Sequence, residues 1–473
     1  MSSSKRQQSR LKFLSFVILI GLLVSLVGCA PAPAPAAEKP TAAPAAAAAE
    51  PTAAAPAAAK QKIRVTGIPG PAGNNLKYAA ETFMKKYPEI EVQVDVAGGA
   101  ETEYKPNFPQ IAVSSDRPDA AWYWVDGRQY QDLVAAGALE PLNEIYKSEG
   151  LDKAYPEATL TKYTSTDGNR YAVNNDVVWY PMVYYSKKAF EKAGVKPPAN
   201  GLYYETLEEW YDVAAKLRAA GYEPLTIGGK EGWRLGHMHD TLLQRMIPQD
   251  KLNDLYVNWQ PGSKPIIKYD GPEWQAVDKM MKEWYDNGVV AEGDLGRNYA
   301  EGRALFVQEK AAMYQDGSWA IGVLNSEAPD LDYGWMLYPQ VLPDIKPKFL
   351  LYAGDGFMVP KAKDPKAKDA AMKFAAWMTS QEYQSLMMKN KELGLVTSRI
   401  DLPADAMAVL EPKVKAQFET MAKTGTSTGW DDPVPGDMAE KSFILLQEML
   451  TGTRQPETVG QEIEKLAEQH RKG

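Results

Sequence analysis

The residues best able to do chemistry in this 473-residue chain are aromatic rings set close to carboxylates and amides. There are 12 Trp and 25 Tyr against 11 Phe, an excess of aromatics that carry a polar handle. Such a side chain can lay its face on C–H groups while its N–H or O–H bonds outward, which suits a wet binding site. Trp124 is followed by Val125 and Asp126, Trp233 by Arg234, and Trp430 by Asp431-Asp432, while Trp319 closes Gly317-Ser318-Trp319. Asn175-Asp176 and Asp355, between Gly354 and Gly356, add an amide and two carboxylates. Together these groups suit an uncharged ring with one apolar face and a rim of hydroxyls, which is the chemistry of a pyranose.

Each of these residues also has a plain structural role open to it. Trp124 can point into a core, Asp126 can cap a helix, and Asn175 or Asp176 can sit in a turn. The segment from Gly70 to Asn75 reads as the start of a helix with Asn75 as its cap, or as a loop whose backbone touches a ligand. Trp233 lies in Gly228-Gly229-Lys230-Glu231-Gly232-Trp233-Arg234 and Trp430 in a Gly/Thr/Ser-rich stretch, where an exposed indole is hard to justify without a ligand.

Other chemistries find little support. The three histidines are His237, His239 and His470; His237 and His239 sit close together with no third ring ligand apparent, a poor metal site that leaves them a structural or ligand-contacting role. Gly317-Ser318-Trp319 is not a nucleophile elbow, and neither a phosphate loop nor a Gly-x-Gly-x-x-Gly fingerprint occurs, so no cofactor is expected. Paired carboxylates serve glycoside hydrolysis, but among 61 acidic residues some pair is inevitable. A net charge of −8 argues against nucleic acid or an anionic membrane surface as ligand.

The elements that must position these residues begin after a distinctive N-terminus. Lys5, Arg6, Arg10 and Lys12 precede an apolar run from Phe13 to Val27, of signal-peptide length. It ends in Leu26-Val27-Gly28-Cys29, which resembles the lipobox of bacterial lipoproteins. That resemblance implies cleavage after residue 28 and a lipid on Cys29, the only cysteine. Several acyl chains on one residue hold a membrane firmly. Residues 29–60 follow as a tether, with 18 Ala and 7 Pro in positions 30–60. Such a composition buries too little surface to fold.

From Lys62 the pattern alternates strand and helix. Lys62–Ile68 and Ile90–Val96 alternate at period two around a helix carrying Leu76, Ala79, Ala80, Phe83 and Tyr87, a β-α-β unit that predicts a parallel sheet. Further strands are predicted at Ala120–Val125, Val177–Tyr185, Pro224–Ile227, Ala311–Tyr314, Tyr333–Leu337 and Leu350–Met358. Helices are predicted at Tyr204–Ala220, Trp274–Asn287 and Asp369–Met388. About 410 residues of α/β structure exceed one ordinary domain, so two lobes are expected.

The ordered motifs carry a family resemblance. Phe83-Met84-Lys85-Lys86-Tyr87-Pro88-Glu89-Ile90-Glu91-Val92, Pro118-Asp119, Tyr171-Ala172-Val173 with Val183-Tyr184-Tyr185-Ser186-Lys187, Ala311 to Trp319, and Gly354 to Pro360 resemble the extracellular solute-binding proteins of sugar ABC transporters, in the maltose-binding protein superfamily. The resemblance implies a type II periplasmic-binding-protein-like α/β fold, two lobes joined by hinge strands around a ligand cleft. Lobe 1 would hold residues 61–172 and 357–390, and lobe 2 residues 173–356 and 391–473, with crossings near 172–178 and 348–356. It implies delivery of a sugar or oligosaccharide to permease subunits of an ABC importer by a monomer, lipid-anchored on the outer face of the cytoplasmic membrane. By the same resemblance Trp319 is a stacking tryptophan and Asp126 a hydroxyl-binding carboxylate. The ligand-binding set is then Trp319, Asp126, Trp430, Asp355, Trp233, Asp176, Asn175 and Trp124. A receptor for a polyol, glycerol phosphate or peptide, and a tethered glycosidase, are the competing readings, because a fold does not fix its ligand.

Overall fold

The computed structural model describes residues 60–96, 101–125, 128–352 and 354–472; the signal-like segment, Cys29, most of the tether and Asp126 lie outside them. The described strands are β1 (Gln61–Gly67), β2 (Ile90–Val96), β3 (Ala120–Trp124), β4 (Ala172–Asn174), β5 (Val178–Tyr180), β6 (Met182–Ser186), β7 (Glu223–Thr226), β8 (Ala311–Asp316), β9 (Tyr333–Met336), β10 (Phe349–Tyr352), β11 (Asp355–Met358) and β12 (Thr426–Ser427). They form a five-stranded sheet in the order β2-β1-β3-β11-β4, a four-stranded sheet β7-β8-β6-β9, and a three-stranded sheet β12-β10-β5.

The β-α-β opening is parallel, β1 pairing with β2 and β3. The sheet as a whole is mixed, because β11 returns from another part of the chain and runs antiparallel to β3 and β4. Two long apolar segments that read as single strands are each divided between sheets. Val177–Tyr185 breaks at Pro181, which lacks the N–H a ladder needs; β5 pairs with β10 and β6 with β8 and β9. Leu350–Met358 breaks before Gly354, where any Cβ would collide with the Tyr352 ring. The chain therefore passes between the two larger sheets between β4 and β6, and again between β9 and β11, through the small sheet each time. A third segment joins there: Val177 N–H donates to the Val396 carbonyl at 2.9 Å.

Local sequence explains the helices. Thr206 and Glu209 close a reciprocal cap on the helix Leu207–Ala219, which buries Trp210, Val213, Ala214 and Leu217 along one face. The stretch Asp369–Met388 forms two helices, Pro365–Thr379 and Gln381–Lys389. Ser380 is extended and accepts from the Tyr383 N–H at 3.2 Å, ending one helix and capping the next. The first helix starts at Pro71, so Asn75 lies inside it. Asn75 is buried, and its side chain accepts the Tyr383 hydroxyl proton instead of capping.

One apolar core packs the five-stranded sheet against its helices and continues through Trp179 and Met182 to Val414 and Met421. The other fills the space between the four-stranded sheet and the helices Gly232–Met246, Pro272–Asp286, Gly436–Leu450 and Val459–Lys472. The C-terminal chain thus serves both. Among the described residues no helix is long and apolar enough to cross a membrane.

Gly460 marks the tightest of these joints, since a Cβ there would collide with the Tyr269 carbonyl. Gly460→Ala should cost about 1–3 kcal/mol by overpacking and lower the melting temperature by several degrees. An unchanged melting temperature would show that the joint between the Val459–Lys472 helix and Tyr269 is looser than described.

Candidate functional site

A cavity of about 460 Å3 is bounded by residues of the five-stranded and three-stranded sheets and by segments next to the four-stranded sheet. Ile68 to Ala72 follow β1, and Trp122 and Trp124 stand on β3. Val178 and Tyr180 of β5, Tyr352 of β10 and Asp355 of β11 contribute from the crossings. Beyond β8 comes Trp319, with Trp233 and His237 from the helix Gly232–Met246 and Tyr299 from the helix Tyr299–Val307. Strand ends collect ligands in open α/β sheets because side chains and helix starts converge there.

The wall beyond β8 is held by a buried ion pair. Arg234 Nη1 lies 2.8 Å from Asp316 Oδ1, and neither side chain has any solvent exposure. Arg234 also donates to the Ile227 carbonyl at 2.7 Å and to the Gln315 carbonyl. Asp316 accepts from the hydroxyls of Tyr299 at 2.9 Å and Tyr314 at 2.6 Å, and from the Gly317 N–H at 2.9 Å. Burial alone would pull the guanidinium down, but Asp316 and the Tyr314 and Tyr299 hydroxyls more than offset it, so Arg234 stays charged. The guanidinium carbon sits 4.8 Å from the Trp233 ring centroid and 5.0 Å from that of Tyr299, within cation–π range.

Two further devices fix the same wall. Asp294 accepts from Thr226 Oγ1 at 2.8 Å and from the N–H groups of Ile227, Gly228 and Gly229 at 3.0 to 3.3 Å, setting the turn that leads to Trp233. Asn298 and Glu301 cap each other at the start of the Tyr299 helix. Gly317 has to be glycine, because the Trp319 ring lies where its Cβ would be.

At the floor, Tyr180 stacks on His237 with centroids 3.9 Å apart and meets Trp319 at 6.4 Å. Burial and the Arg234 charge hold His237 well below the ordinary imidazole value, so the ring is neutral near pH 7. The Tyr180 hydroxyl lies 3.3 Å from Asp431 and 3.5 Å from Asp240. Burial and the neighbouring Asp431 push the Asp240 carboxyl well up. Asp176, just ahead of β5, is 7% exposed and lines the cavity, and its Oδ1 has no hydrogen-bond partner among the described residues.

The residues expected from sequence divide clearly. Trp319, Trp233, Trp124, Asp176 and Asp355 meet at the cavity; Asp126 lies outside the described residues. Trp430 does not reach it. Only 1% exposed, it packs edge-on to Trp274 at 5.0 Å and Tyr269 at 5.5 Å, so the indole expected on a loop is core. Its neighbour Asp431 lines the cavity instead. Asn175 is 1% exposed and is not a lining residue, its amide turned into protein without a partner among the described residues. His239 bonds Asp278 at 2.9 Å, and no group of three metal-ligating side chains occurs among the described residues.

Sequence reasoning missed Trp122, Tyr180, Tyr299, Tyr352 and Phe443, and left His237 between a structural and a ligand-contacting role. Trp122 was within reach, since it shares a strand face with Trp124 two residues on. The Asn298–Glu301 capping pattern would have marked Tyr299 as a helix start. Nothing local distinguishes Phe443.

The chain matches the bacterial extracellular solute-binding protein family over residues 69–385. An ABC transporter extracellular-binding protein of Pyrococcus horikoshii is 25% identical over 337 residues, 69% of this chain and 68% of that one. A multiple sugar-binding protein of Streptococcus mutans is 26% identical over 319 residues, 64% of this chain and 68% of its own. Among solved structures, a chitin oligosaccharide binding protein superposes with a TM-score of 0.71 at 21% identity, covering 88% of this chain and 100% of that chain. The fold is accordingly the type II solute-binding one, two α/β lobes joined by hinge strands.

Asp176 gives this geometry a measurable consequence. Burial pushes its carboxyl up to about 7, whereas the unfolded chain loses that proton near pH 4. Unfolding therefore releases a proton between about pH 4 and 7, and stability contributed by this group falls as pH rises through that window. Asp176→Asn should raise the melting temperature at pH 8 by about 2–4 °C and flatten its decline from pH 4 to 7. A melting profile that keeps the wild-type slope would place the carboxylate in a solvated setting.

Proposed function

The chain belongs to the bacterial extracellular solute-binding protein family, and on that premise we propose that it captures a sugar or oligosaccharide and hands it to an ABC importer. Two lobes that close on a ligand touching both are the mechanism this fold offers. The lobe boundaries proposed from sequence, with crossings near 172–178 and 348–356, suit that motion. The lipobox-like Leu26 to Cys29 segment and the Ala/Pro tether support a lipid-anchored receptor working at the outer face of the cytoplasmic membrane, and the sugar-binding relatives support the ligand class.

The observation that carries the reading is the pairing of aromatic faces with unspent hydrogen-bonding capacity. Trp319, Trp233, Tyr180 and Tyr352 offer rings to the cavity, and Asp176 offers a buried carboxylate oxygen with no partner among the described residues. A pyranose satisfies both, stacking an apolar face while its hydroxyls donate. An anionic ligand such as a sugar phosphate is disfavoured. Asp176, Asp355, Asp431, Glu231 and Glu440 line the cavity against Lys105 and Arg303, and Arg303 is engaged by Glu327 at 2.9 and 3.0 Å. A glycosidase is disfavoured too, because the relatives that carry the resemblance are solute-binding receptors.

Trp319 is half-buried, so its removal should cost binding more than folding. Trp319→Ala is expected to weaken saccharide affinity about 10–100-fold, from lost stacking and lost apolar contact, with a melting temperature within about 3 °C of wild type. Calorimetric titration against a panel of mono- and oligosaccharides reads the affinity. Failure of every saccharide to bind, with amino acids or peptides binding instead, would remove the sugar assignment. Release of shortened products from oligosaccharides would favour the enzyme.

A further inference from the structure

The helix Gly436–Leu450 lies beyond the part of the chain that matches the family, residues 69–385, yet it forms one side of the cavity. Gly436, Ala439, Glu440 and Phe443 are the lining residues. Their spacing of i, i+3, i+4 and i+7 is one helical face, so the whole face is turned to the cavity. Two small residues leave space at one end, and Phe443 occupies the other.

Phe443 has a seat built for it. On the helix Gly232–Met246, Gly232 and Gly236 stand one turn apart beneath it. A Cβ on Gly232 would come within 2.6 Å of the Phe443 Cβ, and one on Gly236 would collide with the Cε1 edge of the ring. Any larger side chain at either position would lift the phenyl group off the helix. On the same face Glu440 accepts from Gln129 Nε2 at 2.7 Å, tying this rim to the helix Arg128–Ala135.

The cavity's aromatic rings fall into separate groups. Tyr180, His237, Trp319, Trp233 and Tyr299 form one connected cluster, with centroid separations of 3.9 to 6.4 Å. Trp122 and Trp124 pair with each other at 4.7 Å. Phe443 is half-buried, packs against the apolar core and the Gly236 backbone, and meets no other aromatic ring among the described residues, so it lines the cavity apart from the other rings. A cavity of about 460 Å3 lies within the roughly 300–1,000 Å3 range of small-molecule sites and offers more space than one hexose ring fills.

We propose that Phe443 is a specificity-determining stacking platform, seated on Gly232 and Gly236, that makes the cavity a site for a saccharide of two or more pyranose rings. One ring lies on Trp319 and the next reaches the phenyl face. The proposal rests on the sugar reading and deepens it by fixing ligand length.

The test is calorimetric titration of the purified protein with glucose, galactose, xylose and N-acetylglucosamine and with their 1,4-linked di- and trisaccharides. Phe443→Ala removes the platform, and Phe443→Leu keeps the seat filled while removing the flat face. Wild type should bind at least one di- or trisaccharide about 10-fold or more tighter than its monosaccharide. Both variants should lose about 10-fold in that affinity, leave monosaccharide binding within about twofold, and the leucine variant should keep its melting temperature within about 2 °C. Equal loss for both ligand lengths, or no loss in either variant, would overturn the platform and leave the sugar reading standing. No binding of any saccharide would overturn both.

Discussion

Arg234 and Asp316 face each other with no solvent contact, and each end of the pair governs a different piece of the ligand cavity. Arg234 opens the helix that carries Trp233 and His237, and its guanidinium lies over the Trp233 and Tyr299 rings. Asp316 ends β8, fixes the Gly317 N–H and therefore sets the turn from which Trp319 projects, while holding the Tyr299 hydroxyl. Three aromatic residues of the wall thus depend on one interaction. Stripping water from two charges is expensive, and such a pair is sustained only where hydrogen bonds use up its remaining capacity. Here the Ile227 and Gln315 carbonyls and two tyrosine hydroxyls do so. Removing either partner would leave an uncompensated buried charge, at a cost of about 3–5 kcal/mol.

A wall fixed in advance matters for the ligand proposed. A sugar must surrender its hydrogen bonds to water on entering, and the protein regains that loss only with donors and acceptors already in place. Rigid rings add contact at little cost in side-chain freedom. One oxygen of the Asp176 carboxyl has no hydrogen-bond partner among the described residues, at the crossing between the two larger sheets. A ligand hydroxyl that bonds Asp176 while its ring lies on Trp319 would engage the crossing and the far lobe together. Differential contact of that kind is what lets a ligand favour the closed arrangement.

Much of the fold was legible because hydrophobic period and helix punctuation are local. The β-α-β opening and the helix behind Thr206 follow from residues within a few positions of one another. The sequence was misleading where a local signal was overruled by a distant partner. Val177–Tyr185 looks like one strand until Pro181 sends its halves to different sheets, and Ser380 divides a helix whose apolar pattern runs through it. The site follows the same division. Trp319, Trp233, Trp124, Asp176 and Asp355 stand near strand ends or glycine-rich turns, features visible in the sequence. Trp430 was misplaced because its loop looks polar, while Trp274 and Tyr269, more than 150 residues earlier in the numbering, bury the indole. Phe443 was invisible because its role depends on two glycines in a helix about 200 residues away.

The crystal structure of the protein with the saccharide it binds most tightly tests the account most directly. The account requires a pyranose ring lying parallel to the Trp319 indole, with a hydroxyl within hydrogen-bonding distance of Asp176 and the Arg234–Asp316 pair intact behind it. A saccharide bound elsewhere, or a Trp319 ring covered by protein on both faces in the complex, would contradict it.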